Sequence, residues 1–412
     1  MRRRRHASGA FIVALSMLLV GCAIEQQPID PLLTRALSGP PTLEVREVFL
    51  DQRIASMTVE QKVAALVMVH VPGTSAKPIR QFTERWGFGG VIIMGDNVGG
   101  SVARVAELTS AISTDAALPL LTAIDQEGGI VRRLPGDDAP AARALWDAPP
   151  SATESAFRER SELVADAGVL INFGIVADVT PDASSFIVSR TLGAEPDAAA
   201  DRVVAAVRGE QGTVLSTLKH FPGHGASPDD SHVSIPRSSL TLSEWRDSHA
   251  LPFIAGIEAG APLVMLGHLR FDEVSELPAS LSAEWVRILR DELEFNGIIV
   301  TDDLLMLQRS GESQFDDPVR NARRALAAGN DLLLFVLPGD PSSVGVDPEQ
   351  LIASLATAVR EGDIDAEALD ESLERVLRVR SEASEVLAPF VDCGLKCWGE
   401  SPRSEPRSDL TG

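Results

Sequence analysis

Tyrosine is missing altogether from this 412-residue chain, and the remaining aromatics are 14 Phe and 5 Trp. That scarcity excludes a long aromatic-lined groove for a polymer and suits a short ligand better. Cysteine is limited to Cys22, Cys393 and Cys397. A metal site built on the last two would need further ligands nearby, and none are there. Cations are outnumbered, 37 Lys and Arg against 59 Asp and Glu, for a net charge of −22. The only dense basic run is residues 2–5, at the extreme N-terminus. Such a chain repels a phosphate backbone, whose binding needs clustered Lys and Arg to displace counterions, so no nucleic-acid partner is expected. Long apolar runs are absent too, apart from residues 10–20, which are too few to span a bilayer comfortably.

What is present at the start reads as targeting. Arg2 to Arg5 form a positive segment, the apolar run follows, and it ends in Leu19-Val20-Gly21-Cys22. This resembles a bacterial lipobox, which implies a lipoprotein-type signal peptide over 1–21, cleavage before Cys22 and lipidation of its thiol. Plain secretion, with Cys22 incidental, stays open. Residues 22–45, with Gln26, Gln27, Pro28, Pro31 and Pro40, read as a polar tether. The expected location is therefore outside the cytoplasm, on the outer face of the bacterial cell membrane. There a disulfide between Cys393 and Cys397 would staple the tail, 391–412.

Thr58-Val59-Glu60-Gln61 has the form of a capping box and predicts a helix start. After it, short apolar runs alternate with amphipathic segments. The predicted strands are 66–71, 90–94, 120–125, 172–179, 214–220, 263–268, 297–302 and 331–336. Most are apolar almost throughout, as parallel strands buried on both faces are. Between them, 101–112, 154–170, 198–211, 243–260, 283–291 and 318–328 carry helical spacing, and 348–361 and 366–386 read as closing helices. Eight strands joined by crossovers predict a single α/β domain over 46–390, a (β/α)8 TIM-type barrel. An open doubly wound sheet is the alternative.

The polar residues fall at the strand ends. Asp96 and Asn97 follow the second strand, Asp125 ends the third, and a loop after the fourth leads to Arg190. Lys219 and His220 end the fifth strand, His268 the sixth and Asp302 the seventh. A barrel gathers these ends on one face, where its active sites sit. In Lys219-His220-Phe221-Pro222-Gly223-His224-Gly225, the spacing of His220 and His224 is that of a helical zinc motif, but Pro222 and Gly223 forbid the helix. His224 is expected only to hydrogen-bond its own loop. Asp230 and His232, two residues apart, can form a carboxylate–imidazole dyad suited to acid/base work. Asp302 at a strand mouth can be a nucleophile, a metal ligand or a substrate clamp, with the adjacent Asp303 as confounder. Asp125 to Gly129 with Arg132 and Arg133 sets acceptors beside donors, which suits vicinal sugar hydroxyls.

Residues 219–225 with Asp230-Ser231-His232 resemble the signature of glycoside hydrolase family 3, in its β-N-acetylhexosaminidase branch. Asp125 to Gly129 with Arg133, Ser189-Arg190-Thr191 and Thr301-Asp302-Asp303-Leu304 match that branch in the same order, so the resemblance spans about 57–336. It implies a retaining glycosidase that releases terminal β-linked N-acetylglucosamine from small glycans of muropeptide or chitooligosaccharide type. It assigns Asp302 as nucleophile, His232 as acid/base and Asp230 as its partner. Asp125, Arg133, Arg190, Lys219 and His220 fall on sugar-binding positions. No metal and no cofactor are implied, and the chain is expected to be a monomer. Ile130 and Ser189 depart from the branch, which usually has a basic residue and an Asp there. A phosphorylase or β-glucosidase of the same family, and a glycan-binding lipoprotein without catalysis, are the alternatives.

Overall fold

The computed structural model describes residues 43–113 and 115–384. Cys22, the segment expected to be a signal peptide, most of the expected tether, and Cys393 and Cys397 lie outside the described residues. The first helix opens at Leu43 and runs to Ser56 (α1), three residues ahead of the expected domain start. Thr58 caps the next helix, Val59–Ala65 (α2): its Oγ1 accepts from the Gln61 N–H, and Gln61 Oε1 accepts from the Thr58 N–H at 2.8 Å.

All eight predicted strands form: β1 Val67–Val69, β2 Gly90–Ile93, β3 Leu121–Ile124, β4 Ile171–Val176, β5 Leu215–Phe221, β6 Leu263–Leu266, β7 Ile298–Thr301 and β8 Leu333–Phe335. They pair in parallel in the order β8-β1-β2-β3-β4-β5-β6-β7. A parallel bridge between Val300 and Leu332 joins β7 to β8, and the Thr301 N–H donates to the Leu332 carbonyl at 3.0 Å. The sheet is thus a closed barrel, and the open-sheet alternative falls. Nearly every strand residue is buried on both faces, which is why the runs read as continuous apolar segments.

Helices follow the strands as crossovers. One that the sequence reading left unnamed, Ala76–Trp86 (α3), links β1 to β2 and holds Pro78 in its first turn, where a missing N–H breaks no helical bond. Pro150–Asp166 (α4) and Pro196–Glu210 (α5) flank β4, and Ala250–Glu258 (α6) follows β5. Pro348–Glu361 (α7) and Ala366–Glu382 (α8) close the chain.

The closing seam is fastened by one buried carboxylate. Asp331 receives the Ile299 N–H (2.7 Å), the Ser372 hydroxyl (2.8 Å), Arg290 (2.5 Å) and Arg375 (3.0 Å). Two cations offset its charge, as a carboxylate in a low-dielectric interior requires. The seam and α8 are thereby tied together, and the C-terminal edges of the strands open on one face.

Candidate active site

Asp125 follows β3 directly, and Lys219 points from the end of β5 toward it. The Lys219 Nζ lies 2.9 Å from Asp125 Oδ1 and 2.6 Å from Glu127 Oε1. Asp125 also receives Arg133 at 3.1 Å, and Glu127 receives Arg190 through two bonds of 2.8 and 2.7 Å. Cation and anion alternate from Arg133 to Arg190. Burial would push the Asp125 carboxyl up, but Lys219 and Arg133 overcome it and hold it at about 2. Burial works likewise against Glu127, yet Lys219 and Arg190 keep it below its ordinary value. Lys219 itself is raised against burial by the same two carboxylates. The whole chain of charges therefore stays ionised at neutral pH. The Lys219 ammonium is shared between the two carboxylates.

Local sequence explains the geometry. Gly128 and Gly129 adopt φ of +86° and +60°, turning the chain so that Arg133 comes back to Asp125. A Cβ on Gly128 would also stand 2.3 Å from the Arg160 guanidinium. The buried Gln126 amide pins the loop: its Oε1 accepts from the Arg133 and Leu134 N–H groups at 2.9 and 3.0 Å.

Past Lys219, His220 turns its Nδ1 to Asp178 Oδ2 at 2.8 Å. Asp178 is fully buried and also takes the His220 and His224 backbone N–H groups. Burial raises its carboxyl, but His220 above all draws it below the ordinary range. With Nδ1 donating to this carboxylate, Nε2 is the accepting ring nitrogen and takes a long hydrogen bond, 3.4 Å, from Arg190 Nη2. His224 differs from expectation. Its backbone bonds Asp178, but neither ring nitrogen has a hydrogen-bond partner among the described residues. Burial pushes that imidazole down to about 4, so it packs as a neutral ring against Phe186 and His220.

The two adjacent acids of β7 separate cleanly. Asp303 faces the wall, accepting the Leu305 and Val336 N–H groups at 3.1 and 3.0 Å, and burial pushes it up to about 6. Asp302 faces the mouth, with Oδ1 held by the Asp303 N–H at 2.8 Å. Burial would raise it, yet the nearby His220, His268 and Lys219 bring it below its ordinary value. An ionised carboxylate with one oxygen fixed and the other uncommitted can attack an electrophilic carbon. His268 is spent on structure, bonding Ser280 Oγ at 2.7 Å and the Asp303 carbonyl at 2.8 Å. Asp96 and Asn97 do not join the cluster. Asp96 bonds His70 and the Gly73 N–H, and Asn97 ties its own turn to the loop after β1.

The Asp230–His232 dyad forms on the loop after β5. His232 Nδ1 lies 2.7 Å from Asp230 Oδ1, and the same oxygen takes the His232 N–H at 2.9 Å. The imidazole is 52 % exposed, so its Nε2 can face an incoming ligand. No hydrogen bond joins it to Asp302. The Phe186 ring meets the His232 ring at 5.7 Å and the His224 ring at 5.0 Å, with the Arg190 guanidinium 5.7 Å away, so the dyad lies beside the charged cluster. Among the described residues no group of three or more His, Cys, Asp or Glu has the geometry to hold a metal ion.

Residues 58–379 match the model of the glycosyl hydrolase family 3 N-terminal domain. The chain belongs to glycosyl hydrolase family 3. Within it, the chain is 37% identical over 261 residues to a β-hexosaminidase of Pseudomonas aeruginosa, covering 61% of this chain and 76% of that one. A β-hexosaminidase of Xanthomonas oryzae is 34% identical over 253 residues, 58% of this chain and 75% of that protein. The solved family 3 β-N-acetylglucosaminidase from Paenibacillus superposes with a TM-score of 0.73 at 30% identity, covering 82% of this chain and 65% of that one. This chain therefore spans just under two thirds of the Paenibacillus protein. The β-N-acetylhexosaminidase from Beutenbergia cavernae gives 0.69 at 28% identity, with 79% and 99% covered.

Three residues of this family 3 site carried no assigned role at the sequence level: Glu127, Asp178 and Phe186. Asp178 had a signal, a lone acid in the apolar run Ile175-Val176-Ala177-Asp178-Val179. Lys219 offers the sharpest test of the electrostatics. Because Asp125 is depressed to about 2, its contribution to stability is present above the ordinary carboxylate range and is lost as pH falls toward 2. Lys219→Met leaves the buried Glu127 and the half-buried Asp125 without their shared cation and should cost about 3–5 kcal/mol near pH 7. Part of that loss should return on mild acidification, as the carboxyls take up protons. Urea denaturation across pH checks this; wild-type stability of the variant at pH 7 would contradict it.

Proposed function

We propose that this chain removes terminal β-linked N-acetylglucosamine from short cell-wall glycans, with retention of configuration. The observation that carries the proposal is the Asp230–His232 dyad, packed through Phe186 against Arg190 and His224, on the barrel face where the β7 end presents the ionised Asp302. The similarity to β-hexosaminidases supports the same substrate class.

In the first step Asp302 forms a bond to the anomeric carbon while the glycosidic bond breaks. His232 gives its Nε2 proton to the departing oxygen, and Asp230 stabilises the charged ring. In the second step water attacks the same carbon, His232 takes its proton, and the Asp302 carboxylate leaves. Asp125, Arg133, Arg190, Lys219 and His220 serve the sugar hydroxyls with alternating acceptors and donors. Both steps pass through an oxocarbenium-like state, which the ionised mouth stabilises.

Aryl β-N-acetylglucosaminide should be cleaved far faster than aryl β-glucoside, and added phosphate should leave the product unchanged. Preference for the glucoside, or formation of a sugar phosphate, would overturn the assignment.

We further propose that Cys22 carries a lipid and holds the enzyme as a monomer on the outer face of the cell membrane. There it would act in peptidoglycan turnover. In fractionated cells Cys22→Ser should leave the membrane fraction; unchanged membrane association would contradict the anchor.

A further inference from the structure

His232 sits on an exposed loop, yet a general acid must present one ring nitrogen to one oxygen within a few tenths of an ångström. Asp230 fixes Nδ1, but a single hydrogen bond leaves the ring free to swing about it. The second constraint is Phe186. This half-buried residue lies on the loop after β4, where the Arg190 N–H bonds the Ile187 carbonyl at 2.8 Å and Ile187 is buried in the wall. Its ring meets His232 edge to face, 5.7 Å between centroids at 80°. It also meets the buried His224 ring at 5.0 Å, and the Arg190 guanidinium stands 5.7 Å from its centroid.

One aromatic thus touches the start of the acid/base loop, the dyad and a sugar-binding arginine. Edge-to-face packing is directional, since the positive edge of one ring seeks the negative face of the other.

We propose that Phe186 is a positioning residue for proton donation: its ring orients the His232 imidazole toward the leaving oxygen and couples that orientation to Arg190. This rests on the functional reading above. It makes no contact with the bond being broken, so its effect should scale with how much the leaving group needs a proton. A dinitrophenyl leaving group departs with little help, whereas a methoxyphenyl group needs the acid.

The test compares kcat/KM, which reports events up to formation of the glycosyl-enzyme, for the two aryl β-N-acetylglucosaminides. Phe186→Leu keeps apolar bulk without a π-face. It should lose roughly 10–100-fold on the methoxyphenyl substrate and less than about 3-fold on the dinitrophenyl one. Phe186→Tyr or Phe186→Trp should restore most of the loss. An equal loss on both substrates, no loss on either, or aromatic variants as impaired as the leucine variant would overturn the inference while leaving the glycosidase assignment standing. A wild-type chain inactive on both substrates would instead overturn the functional reading, and this inference with it.

Discussion

The ammonium of Lys219 holds the half-buried Asp125 and the buried Glu127 in place, and the order of the barrel mouth depends on it. Asp125 and Glu127 lie on the same loop, and without a shared cation they would repel each other in a region of low dielectric. With Arg133 and Arg190 at the outer ends, the charges alternate and each carboxylate stays ionised. Such a network is costly to assemble from water, and its return is rigidity. The groups proposed to bind sugar hydroxyls stand fixed before a ligand arrives, so little reorganisation remains to be done.

Around that rigid centre the two proposed reacting groups are mounted differently. Asp302 belongs to the wall: its backbone N–H bonds β6, and its Oδ1 bonds the next residue. The seam beside it is fastened through Asp331 to the last helix. His232 belongs to a loop and is half exposed, held by Asp230 and by the ring of Phe186. A nucleophile needs a fixed approach to one carbon. An acid that serves leaving groups of different size gains from a mount on the surface, provided something aims it.

The barrel was legible because its strands are buried on both faces and so read as continuous apolar runs, from Val67–Val69 to Leu333–Phe335. Charges at their ends marked the mouth, and the Asp-x-His spacing of Asp230 and His232 described the dyad that forms. The direction of a side chain was less legible. Asp302 and Asp303 are adjacent and identical in type, and only the N–H groups of Leu305 and Val336 decide which one faces the wall. Asp96 and Asn97 end a strand like the others, but the loop after β1 captures them. His224 was read as a polar loop residue and instead packs as a neutral ring. Asp178 lay inside a run taken for strand, and its role as anchor of His220 and His224 emerges only when β4 and β5 pair. Each of these depends on contacts between segments distant in sequence, which no local pattern encodes.

In the proposed mechanism Asp302 becomes covalently joined to the sugar. The most direct measurement is mass spectrometry of peptides from enzyme quenched during turnover of a slow, fluorinated N-acetylglucosamine donor. A mass increase of one sugar is expected on the peptide that contains Asp302, absent from enzyme quenched without donor. Continued turnover with no adduct, or with the adduct on a different carboxylate, would contradict it.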